Sequence, residues 1–235
     1  MTKPPRKGDG PEQPTIRDPE SGKPSSARRK TSSSKNDAHQ TGKPKVAEPG
    51  AASLAGHFLI AMPGMGDPNF ARGITFICQH GEDGAMGLVI NRLSDYKLGD
   101  VLQQMHMPCE RVEVASAPVL MGGPVQPERG FVLHAPGERE WDSSYRVNDM
   151  LAVTTSRDIL AAMADGEGPP RVLVTLGYAG WGAGQLEQEL RDNAWLTVRA
   201  DDRVLFDTPL DDRWNAAIAL VGINPANLTS YSGHA

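Results

Sequence analysis

The first fifty residues contain no aromatic residue, and their only apolar members are Met1, Ile16, Ala27, Ala38, Val46 and Ala47. Such a segment cannot bury enough apolar surface to offset the entropy of ordering its backbone. It is expected to be a flexible tail, which confines any folded core to residues 51–235. Those 185 residues suit a single core.

Charge divides at the same place. Residues 1–50 hold 11 Lys+Arg against 6 Asp+Glu, a net of +5; the chain totals of 24 and 29 leave 13 and 23 for the rest, a net of −10. An acidic body is a poor general binder of nucleic acid, which is held by clustered lysine and arginine. The basic arm could touch nucleic acid or an anionic surface, although such runs are usually solvated chain.

Cys78 and Cys109 are the only cysteines, so there is neither a disulfide framework nor a paired-cysteine motif. No stretch approaches the ~18 consecutive apolar residues of a membrane span. The N-terminus lacks the apolar core of a secretory signal, and its six acids do not suit a transit peptide. The cytoplasm is the expected location.

Within the body, HFLIAM (57–62), GITFICQH (73–80) and MGLVIN (86–91) read as strands. The second and third are joined by GEDG, which has hairpin chemistry. LGDVLQQMHM (98–107) reads as a helix, followed by strands at 119–121 and 130–134 and a loop over 135–150. A strand at 151–155 leads through Ser156 as cap into a helix over 157–164. RVLVTL (171–176) is the clearest strand, and GYAGWGAG after it reads as a tight strand-to-helix turn before a helix over 185–191. Strands at 195–199 and 204–206 and a helix from Asp211 to Leu220 complete a pattern of about eight strands and four helices. This is an α+β reading, because adjacent hairpin strands and irregular helix placement do not suit a doubly wound sheet.

The local motifs define no chemistry. Gly180, Gly182 and Gly184 lie where a phosphate loop could form, but GWGAG lacks a Walker Lys-Ser/Thr pair and dinucleotide-fold spacing. No two histidines stand at metal-binding spacing on a helix, and His57, His80 and His134 read as polar strand ends. No metal or cofactor is expected. There is no G-x-S-x-G elbow, Cys78 lies within an apolar strand, and Glu187 and Glu189 face different sides of a helix. Trp141 and Tyr145, in the 135–150 loop, would mark either an interface or a buried ring.

Four segments, FLIAMPGMGDPN (58–69), GAMGLVINR (84–92), GGPVQPERGFVLH (122–134) and LGYAGWGAGQLE (176–187), resemble the YqgE/AlgH family of bacterial proteins in kind and order. The similarity spans roughly residues 51–235 and excludes the tail. It implies a strongly bent, bifurcated, mainly antiparallel sheet closing into a pseudo-barrel flanked by helices. One branch of that family is named as a transcriptional regulator of alginate synthesis, which implies a regulatory role. No helix-turn-helix with a basic second helix is present.

Carried onto this chain, the shared motifs single out Asn91, Arg92, Gly122, Gly123, His134, Gly180, Trp181, Gly182 and Gln185 as candidate ligand-binding residues. Arg92 could clamp an anion bidentately or hold its loop by a salt bridge. Gly122-Gly123-Pro124 would fix backbone geometry. The leading expectation is a non-catalytic regulator or adaptor acting through a protein partner or small ligand. The alternatives are an enzyme on a small anionic substrate, with a site built around His134, Arg92 and the 177–187 loop, and a DNA-binding regulator using the basic arm.

Overall fold

In a computed structural model, residues 53–223 are described; residues 1–52, with the expected flexible tail, and the polar segment at 224–235 lie outside them. Ten strands, five α-helices and two short helical turns follow one another along the described chain. The strands are β1 (His57–Ala61), β2 (Ile74–Gly81), β3 (Gly84–Val89), β4 (Leu93–Lys97), β5 (Pro118–Met121), β6 (Val125–His134), β7 (Ser144–Arg146), β8 (Ala152–Thr154), β9 (Val172–Gly182) and β10 (Trp195–Arg199). The helices are α1 (Leu98–Gln104), α2 (Val112–Ala115), α3 (Arg157–Asp165), α4 (Gln185–Arg191) and α5 (Arg213–Leu220).

The sheet runs β10-β1-β2-β3-β9-β6-β8-β7, with β4 and β5 attached as a branch. Every pairing is antiparallel except that of β5 with β9. β9 makes the bifurcation. Its first half, Val172–Leu176, lies between β5 and β6, whereas its second half, Ala179–Gly182, pairs with β3. Gly177, at φ +71°, bends the strand between the two halves. The expected α+β class and bent, bifurcated sheet are both present.

Three local expectations change. The glycine-rich run does not form a turn directly after Leu176. The strand continues to Gly182, and only Ala183-Gly184 turns into α4, with Gly184 left-handed at φ +74°. Residues 204–206 are not a strand but part of a π-helical turn over Arg203–Asp207. The 135–150 segment is not all loop, because it holds β7. Both β7 and the unanticipated β4 have mostly exposed side chains, so neither shows the apolar alternation of a half-buried strand.

The curled sheet wraps a core of Phe58, Ile60, Ile74, Phe76, Leu88, Phe131 and Leu133, closed by Trp214, Ala217 and Ile218 of α5. A second apolar layer lies under α1 and α3, and a third under α4. Cys78 is the bulged residue of β2, fully within the core, where burial pushes its thiol pKa up. It packs as a small hydrophobe. Arg213 is also buried; its guanidinium donates to the carbonyls of Thr208 and Ile90 and so ties α5 to the end of β3. Burial lowers its pKa to about 10, which leaves it charged at neutral pH.

Candidate functional site

The residues singled out by motif fall into three places. The first is a crossing of two glycine-bearing chains. Gly122 donates its N–H to Leu176 O at 2.7 Å and accepts from Val89 N–H at 2.8 Å. Gly123 lies directly against the backbone of Tyr178, and a Cβ on Gly177 would stand 2.4 Å from Gly123 O. Beside this crossing, Asn91 accepts from Ile74 N–H at 2.9 Å and donates to Arg72 O at 2.9 Å. The Arg92 guanidinium donates to Ala71 O at 2.7 Å. Both side chains latch the loop before β2.

The second place is the end of β9 and the start of α4. The two indoles of Trp181 and Trp195 donate to the same Glu189 oxygen, at 2.9 and 2.8 Å, while Gln185 donates to the other at 2.9 Å. Gln185 also accepts from Gly182 N–H at 3.0 Å. Phe70 packs against both indoles. Gly180, Trp181, Gly182 and Gln185 therefore join a filled aromatic cluster. Next to it, His80 Nδ1 accepts from Leu54 N–H, which leaves Nε2–H to donate to Glu187 at 2.7 Å. The amide of Glu187 itself and the His80 ring hold that carboxyl below its usual range.

The third place holds His134, at the opposite end of β9: its partner there is Val172, whereas Gly182 pairs with Gly84. His134 is buried, and Ala135 O accepts from its Nδ1–H at 2.9 Å. A carbonyl can only accept, so the neutral ring presents an unprotonated Nε2, which accepts from the Thr154 hydroxyl at 2.8 Å. The Thr154 oxygen in turn accepts from Ser144 Oγ–H at 2.6 Å. Burial lowers the His134 pKa, against a smaller opposing effect of the Ala135 hydrogen bond. An unfolded chain would protonate this ring near pH 6.5 while the folded one does not. Stability is therefore expected to fall below about pH 6.5, by up to about 1.4 kcal/mol per pH unit, until the lower native pKa is reached. Urea denaturation at pH 7.5 and 5.5 should show a smaller loss in His134→Gln than in the parent; equal losses would contradict this origin.

A cleft of about 600 Å³ is lined by none of the nine candidate ligand-binding residues, although residues 127–132 and Leu176 on its walls belong to the segments that carry the resemblance. It opens between α1, the β6 arm and the start of α3. Val101, Met105, Val132, Leu160, Val174 and Leu176 form its floor. Its rim is polar, with Gln104, Glu128, Arg129, Thr155 and Ser156. Arg129 lies over the Phe131 ring, 5.3 Å from its centroid, and its only polar side-chain partner among the described residues is Gln126 at 3.4 Å. Apolar floors with a few convergent polar groups are the usual form of small-molecule sites. Sequence reading missed this cleft because its walls come from six separate elements, β4, α1, β6, β8, α3 and β9, which only the fold brings together.

Among the described residues no group of three or more His, Cys, Asp and Glu side chains converges as a metal site would require. No described helix is long and apolar enough to cross a membrane.

Comparison with known proteins shows which family the chain resembles. The DUF179 family model, described as AlgH-like, matches residues 58–226. A UPF0301 protein of Methylococcus capsulatus is 53% identical over 184 residues, covering 78% of this chain and 97% of its own. A UPF0301 protein of Xanthomonas campestris is 55% identical over 182 residues, covering 77% and 96%. Among solved structures, the AlgH protein from Pseudomonas aeruginosa is 48% identical, with a TM-score of 0.66, covering 80% of this chain and all of that one. A Corynebacterium diphtheriae protein matches at 22% identity and a TM-score of 0.59 over 80% of this chain and 95% of that one, a likeness of fold alone.

Proposed function

This chain belongs to the AlgH-like family, and from that footing we propose that its domain is a regulatory module that responds to a small, largely apolar ligand in the 600 Å³ cleft. The regulatory role follows the resemblance to the branch named for transcriptional control of alginate synthesis. The cleft supplies the means. Its apolar floor gives affinity, and the polar groups on its rim orient a ligand bearing one polar end. A ligand there would touch α1, the β6 arm and the start of α3 together, so binding would change the surface that these elements offer to a protein partner.

Anilinonaphthalene sulfonate, an aromatic anion, is a suitable probe. The full-length protein is expected to bind it at one saturable site, read by fluorescence titration and by native mass spectrometry. Val101→Trp, which fills the cleft from the half-buried face of α1, is expected to abolish that binding while leaving the far-UV circular dichroism unchanged. Equal binding by parent and variant would overturn the assignment.

A further inference from the structure

Ser144 is exposed at the end of the hydrogen-bonded series that begins at buried His134. The directions in that series are forced. Ala135 O takes the Nδ1 proton, Nε2 takes the Thr154 proton, and the Thr154 oxygen takes the Ser144 proton. A neutral imidazole therefore stands as proton acceptor for a solvent-facing hydroxyl, with one hydroxyl between them. A base oriented by a third group and joined to a nucleophile by hydrogen bonds is the arrangement that activates serine.

The backbone adds a second, independent feature. Thr155 N–H donates to Ser143 O, and Val147 N–H donates to Leu151 O. Hydrogen-bonded pairs alternate along an antiparallel ladder, so Tyr145 faces β8 while the amides of Ser144 and Arg146 point away from it. β7 pairs only with β8, and among the described residues neither amide has an acceptor. An N–H on the nucleophilic residue itself, aimed at open space, can stabilise an oxyanion. Ser144 and Arg146 also line a pocket of about 340 Å³ with His134, Ala152 and Trp141. Its rim carries Arg139 and Arg146 with Glu138 and Glu140, so it has no strong charge preference. That volume and balance suit a small, uncharged acyl group.

We propose that Ser144 is a nucleophile toward small carboxylic esters, with Thr154 and His134 as its proton relay. Ser144 Oγ forms a bond to the acyl carbon as its proton passes to Thr154 and that of Thr154 passes to His134 Nε2. The ester C–O bond breaks, and the leaving alkoxide recovers the proton along the same path. Water then cleaves the acyl-serine by the same relay, releasing the acid.

A fluorophosphonate probe forms a stable adduct with an activated serine, and p-nitrophenyl acetate reports acyl transfer as released nitrophenolate. Full-length protein is expected to take up one fluorophosphonate, mapped by peptide mass spectrometry to Ser144 and not to the adjacent exposed Ser143. Ser144→Ala should abolish the adduct. Thr154→Val should slow labelling and the nitrophenolate burst on the order of 100-fold. Thr154→Ser, which restores the hydroxyl, should recover most of the rate, as a merely structural role for Thr154 would not require. No adduct on the folded parent protein, labelling of Ser143 and Ser144 alike, or a Thr154→Val rate equal to the parent's would each overturn the proposal.

Discussion

Gly123→Ala is expected to cost about 4 kcal/mol or more and to leave little folded protein, against a usual total stability of about 5–15 kcal/mol. The added Cβ would stand 2.2 Å from Tyr178 C, 2.3 Å from Tyr178 O and 2.4 Å from Ala179 N. All three are backbone atoms of β9, where that strand passes from β6 to β3. They cannot move aside without breaking the pairing that joins the two halves of the sheet. Gly123 also sits at φ +152°, which an L side chain rarely adopts. The contrast is Gly130, seven residues along, where an added Cβ meets nothing within 4 Å and φ is not positive. Gly130→Ala should change stability by less than about 1 kcal/mol. Equilibrium urea denaturation of the two variants checks this, and similar midpoints would refute the close-approach argument.

The same glycines explain which parts of the fold could be read in advance. β1, β2, α4 and β10 have apolar runs or cap signals within a few residues, so their sequence periodicity is decisive. GYAGWGAG reads as a turn because glycine clusters usually serve turns. Here Gly177 supplies the bend, and Gly122 and Gly123 admit a neighbouring backbone where any side chain would clash. A glycine needed for space and a glycine needed for a turn are the same letter. β4 and β7 escaped notice for the opposite reason: exposed on one edge, they owe their strand conformation to the pairing partner and not to burial.

The candidate sites show a similar division. The motif residues Asn91 and Gln185 have both polar side-chain atoms engaged within the fold, and Arg92 spends one guanidinium nitrogen on Ala71 O. The cleft and the Ser144–Thr154–His134 series are built from residues whose proximity depends on register. Val132 faces Thr154, and Thr154 faces Ser144, only because β6, β8 and β7 pair as they do. A shift of one residue in either ladder would turn the hydroxyls to the other face of the sheet. Single-chain spacing holds no record of that register.

Two acids on one helix make the point quantitatively. Glu189→Ala is expected to cost about 3 kcal/mol, because it leaves two indole N–H groups without an acceptor. Trp181 and Trp195 are only 6% and 4% exposed, so their indole N–H groups depend mainly on this carboxylate for an acceptor. Glu187, two residues earlier, accepts from His80 with its own side chain one-third exposed. Its removal should cost about 1 kcal/mol, the usual size for a partly solvated pair. Glu189→Gln keeps a carbonyl oxygen for the indoles, although its amide nitrogen must then face the Gln185 donor; an intermediate loss is expected. Tryptophan emission during urea unfolding measures all three variants, and Glu189→Ala should also red-shift the native spectrum as the indoles lose their partner. If Glu187→Ala and Glu189→Ala were equally destabilising, the paired indoles could not be what secures α4 to the end of β9.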